Sequence, residues 1–278
     1  FEFDLNVKLI QKKDWYWDMS VNGYTYANKM LNLPDEYKVS GMPNGNQRIY
    51  EGKDIYRWEM RQFAGLDEKG NSLWYMDRDL TDGEGNVVGV EKVTTGDATE
   101  ATQYLLEKSA LPDFTGGLNT TLRWKSLDLT IMTNFQFGGY GYDYDFSAFS
   151  SANFPMNRLK NYADAWNPET GKGSAPIWNT NDSNINASSD RFLISKTYFN
   201  LRNITLGYTF PANWMSKIGI KSVRVYFACD NVFFASKRKG YDPRTSMGGQ
   251  GATVALNSVD GTYYSPIRTT SVGLNINF

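Results

Sequence analysis

Thr269-Thr-Ser-Val-Gly-Leu-Asn-Ile-Asn-Phe278 closes the chain. Val272, Leu274, Ile276 and Phe278 share one face of a strand, and Ser271, Gly273, Asn275 and Asn277 share the other. One face is apolar and uncharged; the other is small and polar. A strand with hydrocarbon on one side and a wet lumen on the other reads this way. A strand of a soluble sandwich alternates similarly, so the rest of the chain has to choose between them.

Working outward, the same alternation recurs in long segments. Residues 1–10 set Phe1, Phe3, Leu5, Val7 and Leu9 against Glu2, Asp4, Asn6 and Lys8. Residues 15–24 set Trp15, Trp17, Met19 and Val21 against Tyr16, Asp18, Ser20 and Asn22. Phe114–Trp124 leads through Lys125-Ser126 into Leu127–Phe137, and further strands are expected at 197–210, 221–233 and 267–278. The links at 11–14, 125–126 and 211–220 are short, whereas those at 25–112, 138–196 and 234–266 are long. Long structureless connections are foreign to a compact soluble domain. Outer-membrane barrels have them, with short periplasmic turns and long extracellular loops. With Phe278 on the periplasmic side, every short link falls inside and every long one outside.

That count gives seven spanning strands. A complete single-chain bacterial barrel has an even number and no free edge, so the chain is expected to be part of a barrel. A hairpin formed by Ile55–Phe63, the turn Gly65–Asn71 and Leu73–Asp77 is placed outside the membrane, since Arg57, Glu59 and Arg61 would line one face. Asn157–Trp166 is a short helical candidate. The N-terminus alternates from Phe1 with no initiator Met and no signal peptide, as expected for a piece of a longer protein.

Composition narrows the chemistry. The 278 residues include 18 Tyr, 16 Phe and 8 Trp, an aromatic load suited to strands, interfacial girdles or sugar-stacking surfaces. A net charge of -1 favours neither nucleic acid nor anionic lipid. Mean hydropathy is -0.51 and no apolar run is long enough for a membrane helix, which leaves a membrane barrel open. Cys229 is the single cysteine and histidine is absent. Ser-His-Asp and Cys-His catalysis, His-ligated metals and cysteine-based zinc sites are thereby removed. No cofactor or metal site and no catalytic residue is expected.

Five stretches then carry a resemblance. They are Leu111-Pro-Asp-Phe-Thr-Gly-Gly-Leu118; Tyr198-Phe-Asn-Leu-Arg-Asn-Ile-Thr-Leu-Gly-Tyr-Thr-Phe-Pro211 with Trp214; Asp230-Asn-Val-Phe233; Gly240-Tyr-Asp-Pro243; and Arg268–Phe278. In this order and spacing the chain resembles the C-terminal part of the SusC/RagA class of TonB-linked outer-membrane transporters. The match is firm from about residue 105 onward. Over 1–104 it is looser, carried by Ala64-Gly-Leu-Asp-Glu-Lys-Gly70 and the paired N-terminal strands. Arg244 departs from the acidic residue usual after Gly-Tyr-Asp-Pro.

The resemblance implies the C-terminal strands of an antiparallel barrel of about 22 strands, with the plug and N-terminal domains outside this chain. It implies energy from the TonB complex, a SusD-like lipoprotein partner and an oligosaccharide or peptide substrate. Val272, Leu274, Ile276 and Phe278 then form the closing strand that the barrel-assembly machinery reads.

Candidate contacts remain to be weighed. Tyr140, Tyr142, Tyr144 and Phe146 alternate with Asp143 and Asp145. They suit a sugar platform, although aromatics of an outer girdle read alike. A calcium site on Asp143 and Asp145 lacks further ligands. Trp166 and Trp178 either face substrate or pin a long loop, and Tyr241 either touches ligand or belongs to a turn. Arg202, Arg224 and Asp230 are assigned to the lumen, where they either line the route past the plug or pair with barrel-wall carboxylates, the second being favoured, and Cys229 is assigned to the apolar face. The competing classes are a soluble glycan-binding sandwich and a glycosidase using two of Asp143, Asp145 and Glu169.

Overall fold

A computed structural model describes residues 1–150, 160–179, 182, 184–185, 187–215, 217, 219–237, 247–248 and 267–278. Seven long strands, labelled β1 to β7 along the chain, form one sheet: Glu2–Gln11, Trp15–Tyr24, Phe114–Trp124, Leu127–Phe137, Tyr198–Thr209, Ser222–Ser236 and Thr269–Asn277. Each is antiparallel to the next in sequence, so the sheet is a meander in chain order. These are the seven spans expected from alternation, shifted by a few residues at their ends. The fold is an open segment of an antiparallel β-barrel wall.

The register carries one apolar face across all seven strands. One row runs Val7, Met19, Thr120, Ile131, Ile204, Cys229 and Thr270; another runs Leu122, Leu129, Leu206, Phe227 and Val272. Thr120 is polar but answered: its hydroxyl accepts from the Trp17 indole at 2.8 Å and donates to the Asp18 carbonyl at 2.8 Å. A hydroxyl facing hydrocarbon needs such partners.

Aromatic rings bound this face at both ends. Toward the long loops, Phe1, Phe3, Phe114, Phe135 and Phe137 form a continuous row with centroids 5.6–6.3 Å apart. Gly23 and Gly116 make room for it, since a Cβ on Gly23 would strike the Phe114 ring and one on Gly116 would press on Phe135. Toward the short turns, Trp15 and Trp124 lie 5.7 Å apart, and Tyr208 and Phe210 5.2 Å apart. Phe114 to Trp124 spans about 33 Å along the strand. At a tilt of about 40° this is roughly 25 Å of membrane normal, the height of an outer-membrane apolar band.

Two bulges break the simple alternation. The β1–β2 register shifts between Lys8 and Ile10, so Ile10 instead of Leu9 pairs with outward Trp17. The β5–β6 register shifts between Leu201 and Asn203, and Asn231 takes φ 51° beside it. Arg202 is therefore an extra residue at a bulge, and its expected luminal side is not fixed by the pleat.

The long connections are folded, contrary to the picture of structureless loops. Residues 25–112 hold seven short strands: Met42–Asn44, Gln47–Ile49, Arg57–Arg61, Phe63–Leu66, Ser72–Thr81, Val87–Thr95 and Gln103–Ser109. None joins the wall sheet. The expected hairpin exists, but its first arm is Phe63–Leu66; Arg57–Arg61 pairs instead with Gln103–Ser109. Of the helical candidate 157–166, residues 160–164 are a 3-10 helix and 157–159 lie outside the described residues.

Two turns share one design. In Asp67–Asn71 and Asp82–Asn86, the Asp carboxylate accepts from the backbone N–H groups two and four residues on and from the Asn side chain. In the exposed second turn, the Asn86 side chain and then its backbone N–H hold the Asp82 carboxyl below its ordinary 3.8. A depressed carboxyl supplies stability that is present above its unfolded value and is lost as pH falls through the folded one. Protection of the Glu84 and Asn86 amides, taken relative to the intrinsic exchange rate at each pH, is therefore expected to fall as pH drops below about 4, and Asp82→Asn should remove that fall.

Candidate functional site: the inner wall and the loop assembly above it

The polar face of the wall is a hydrogen-bonded surface. Asp18 accepts from the Tyr16 hydroxyl at 3.0 Å and the Thr121 N–H at 3.1 Å. Asp230 accepts from Asn203 at 2.8 Å. Nearer the loops, Asn200 donates to Asn134 at 2.8 Å, and Asn134 to the Tyr198 hydroxyl at 3.2 Å. Arg224 crosses β5 to reach Asp128 on β4, with Nε at 3.0 Å from Oδ1. Gly207 permits that reach, because a Cβ there would collide with the guanidinium. Arg224 and Asp230 thus occupy the luminal face assigned to them, paired within the wall, and Cys229 is buried on the opposite face.

The Arg224–Asp128 pair is under a third exposed on both sides. Removing one partner leaves a charge over Gly207. Asp128→Ala is expected to cost about 1–3 kcal/mol in a urea titration of the refolded protein in detergent. Arg224→Met should recover part of that loss, as a double-mutant cycle would report.

Above the wall, loops from different connections share a core of Trp58, Met60, Leu106, Ala110, Tyr142, Phe192 and Leu193. The Trp58 indole donates to the Tyr140 carbonyl at 3.1 Å, and the Phe63 N–H to Asp190 at 2.9 Å. Glu59, expected to share one face of the outer hairpin with Arg57 and Arg61, is buried, holding Arg48 at 2.7 Å and the Tyr50 hydroxyl at 2.8 Å. Lys92 lies 4.4 and 4.3 Å from the Tyr75 and Tyr104 ring centroids, fastening the outer hairpin to Gln103–Ser109. Burial, then the hydrogen bond to Asp77, pushes Tyr104 up to about 12. Lys196 gives its ammonium to the Ala110 carbonyl at 3.2 Å, and burial pulls its pKa down.

The aromatic candidates divide by accessibility. Tyr142 is 3% exposed, its ring against Tyr144 at 4.7 Å and Phe192 at 6.0 Å. Asp143 is 0% exposed, and its carboxylate caps the helix Tyr144–Phe149 through the Phe146 N–H at 2.8 Å. These two are interior, so a platform built on the whole Tyr-Asp run is not formed. The reasons differ: Tyr140–Asp143 pairs with Leu193–Ser195 on one side and Met247–Gly248 on the other, and Tyr142 joins the loop core, whereas Asp143 is taken up as the cap of the following helix. Tyr140 and Tyr144 are partly exposed, and Asp145 lies within the short helix.

Trp166 packs over Gly70, where a Cβ would strike its ring, and its N–H donates to the Ala175 carbonyl at 2.8 Å. It pins one loop to the next. Trp178 is 48% exposed. Tyr241 lies outside the described residues, as do most of Lys237-Arg-Lys239 and all of Gly240–Pro243. Among the described residues, no group of three or more acidic, Cys or His side chains is placed to hold a metal, and no helix is long and apolar enough to cross a membrane. Val272, Leu274 and Ile276 lie on the apolar face of β7, with Phe278 just beyond it. Pairing of Arg224 with a wall carboxylate was expected from sequence and is found with Asp128; the side-chain amide network and the interlocked loop core were missed. Only the recurrence of Gly in luminal rows, at Gly207 and Gly273, hinted at side chains laid flat across the wall.

No family model matches the chain. It is 24% identical over its full length to TonB-dependent receptor P3 of Formosa agariphila, covering 28% of that protein. To TonB-dependent receptor SusC of Bacteroides thetaiotaomicron it is 25% identical, covering 26% of that protein. Among solved structures it superposes on a chain of the RagAB peptide transporter with a TM-score of 0.75, 24% identity, and coverage of 100% of this chain and 29% of that one. A second RagAB structure, in a closed-closed state, gives 0.72 and 25% identity. The chain spans under a third of these relatives, within their C-terminal portion. The likeness extends over residues 1–104, where the motifs were sparse. These relatives are named receptors and transporters, not enzymes. With its apolar face and two girdles, the chain is an antiparallel segment of an outer-membrane β-barrel.

Proposed function

We propose, for a chain similar along its whole length to SusC/RagA-class TonB-linked transporters, that it forms the C-terminal wall of a plugged importer. In this reading the plug and the TonB-contacting segment belong to parts of the protein outside residues 1–278. The importer works with a SusD-like surface lipoprotein and takes up oligosaccharides or peptides. The observation that carries the proposal is the seven-strand meander with a girdled apolar exterior and a hydrogen-bonded interior, on a backbone like that of RagAB. The wall itself holds structural pairs, so no catalytic step is assigned to it. Substrate contact falls to the partly exposed aromatics Tyr140 and Tyr144 and the exposed Trp178, with Tyr241 kept as a candidate from sequence alone.

A soluble glycan-binding sandwich would need a second sheet packed about 10 Å from the apolar face. Among the described residues no sheet covers it.

Extraction from outer membranes in detergent, followed by intact mass, N-terminal sequencing and uptake assays with and without TonB, tests the reading. A heat-modifiable protein several times the mass of this chain, co-purifying with a lipoprotein and importing only when TonB is present, is the expected outcome. A soluble species of about 32 kDa that needs no detergent overturns it.

A further inference from the structure

The nearly neutral total charge hides a segregation along the membrane normal. The three short links, with Lys221 beside the last, carry Lys12, Lys13, Lys125, Lys217 and Lys221 against one acid, Asp14. The connection 25–112, at the opposite end, carries fifteen acids against ten bases. All five lysines are exposed. Among the described residues, none of them takes part in an ion pair.

Three of these cations lie on the lipid side of the wall. Ile10 pairs with outward Trp17, so Lys12, two residues on, takes the same face; its N–H donates to the Trp15 carbonyl at 2.8 Å. Lys221 likewise stands two residues before Val223, which pairs with outward Ile276. The Lys125 ammonium lies 5.5 Å from the Trp124 ring centroid, in the girdle that Trp124 shares with Trp15. The links are also fixed against one another. The Lys125 N–H donates to the Asp14 carbonyl at 2.8 Å, and the Thr209 N–H to the Ser126 carbonyl at 2.8 Å. Lys12, Lys13 and Lys125 are thereby held on neighbouring turns.

Like charges so placed repel one another unless anions lie between them. The turns supply one carboxylate, and Asp128 nearby is engaged by Arg224. A soluble protein approaching from the periplasm would meet the tips of the turns, not cations on the lipid side of the girdle. At that level, where the apolar face ends, the fixed anions are lipid phosphates. Lysine reaches them with its ammonium while its stem stays on apolar surface.

We propose that the Lys12–Lys125–Lys221 rim binds anionic phospholipid headgroups, such as those of phosphatidylglycerol, in the inner leaflet of the outer membrane. This rests on the reading that puts the short links on the periplasmic side. The bound headgroups offset the repulsion between turns and set the height of the wall in the bilayer.

The test uses the complete transporter extracted from outer membranes in a non-ionic detergent. It is titrated with phosphatidylglycerol and, separately, with phosphatidylcholine, and native mass spectrometry counts the lipids retained. Wild type should favour phosphatidylglycerol, and the preference should shrink as NaCl rises from about 50 to about 500 mM. Combining Lys12→Gln, Lys125→Gln and Lys221→Gln should lower that preference by roughly tenfold or more. Lys69→Gln, at the opposite end, should leave it unchanged, and the heat-modifiable gel shift establishes that the variants are folded. Phosphatidylglycerol carrying a diazirine in its headgroup should cross-link within residues 11–15, 124–127 and 214–221. An unchanged preference in the folded triple variant, or cross-links confined to the long connections, overturns the proposal. So does displacement of the lipid by millimolar inorganic phosphate, which would assign the rim to free anions. Labelling of Lys12 in intact cells by a membrane-impermeant amine reagent would instead overturn the orientation, and with it the functional reading.

Discussion

Ile131→Arg should impair assembly and folding stability by about 2–4 kcal/mol, whereas Met132→Arg, one residue on, should change them little. Ile131 lies on the apolar face of β4, in register with Thr120 on β3 and Ile204 on β5. It sits near mid-height between the Trp124 and Phe114 ends of the wall, where a cation on the lipid side has no water within reach. Met132 pairs with Asn119 and Asn203 on the polar face, where an arginine meets water or hydrogen-bonding side chains. Refolding into detergent micelles or bilayers across a urea series gives both values. Equal penalties at the two positions would contradict the assignment of faces, because a soluble sheet buried on both sides would resist both arginines alike.

Phe192→Ala is expected to release the loop assembly without releasing the wall. Phe192 is fully buried; its ring lies edge-on to Tyr142 at 6.0 Å and to Phe146 at 5.3 Å. Removing a buried Phe costs about 3–5 kcal/mol, through lost transfer energy and the cavity left behind. The core it serves is small, so that loss is a large fraction of the local stability. Hydrogen exchange should rise across Arg57–Arg61, Gln103–Ser109 and Leu193–Ser195, while β2 to β5 stay protected and the heat-modifiable gel shift persists. Exchange rising equally in β3 and β4 would show that wall and loops unfold as one unit. A wall held by its own ladder argues for separate units.

The seven spans, their order and their faces were legible because each depends on a local signal. Side-chain alternation has a period of two, so every strand from β1 to β7 announces its own inside and outside. Short links force neighbours to pair antiparallel, which makes the meander the simplest topology. The same local logic had little hold on residues 25–112. There the strands are three to ten residues long, and their partners are chosen by contacts such as Phe63 to Asp190, 127 residues apart. The turn at Asp67–Asn71 was readable; its twin at Asp82–Asn86 was passed over, though both carry Asp and Asn at the same spacing.

Candidate contacts fared according to the same division. The Tyr140–Phe146 run alternates like a strand, and it is one for Tyr140–Asp143. Whether its alternate face meets sugar or a hydrophobic core depends on what lies across it, and Phe192 and Trp58 come from distant parts of the chain. Arg224 could be placed in the lumen by parity, but its reach to Asp128 depends on Gly207 of an intervening strand.

Alternation, the pattern of short and long links and the five resembling stretches together therefore pointed from sequence to a membrane barrel wall, since two solvents on two faces leave a mark on every second residue. Tertiary structure decided which inner charges are answered, which aromatics are buried and how the loops lock together. Those outcomes follow from distances between residues far apart in the chain, and no local pattern records them.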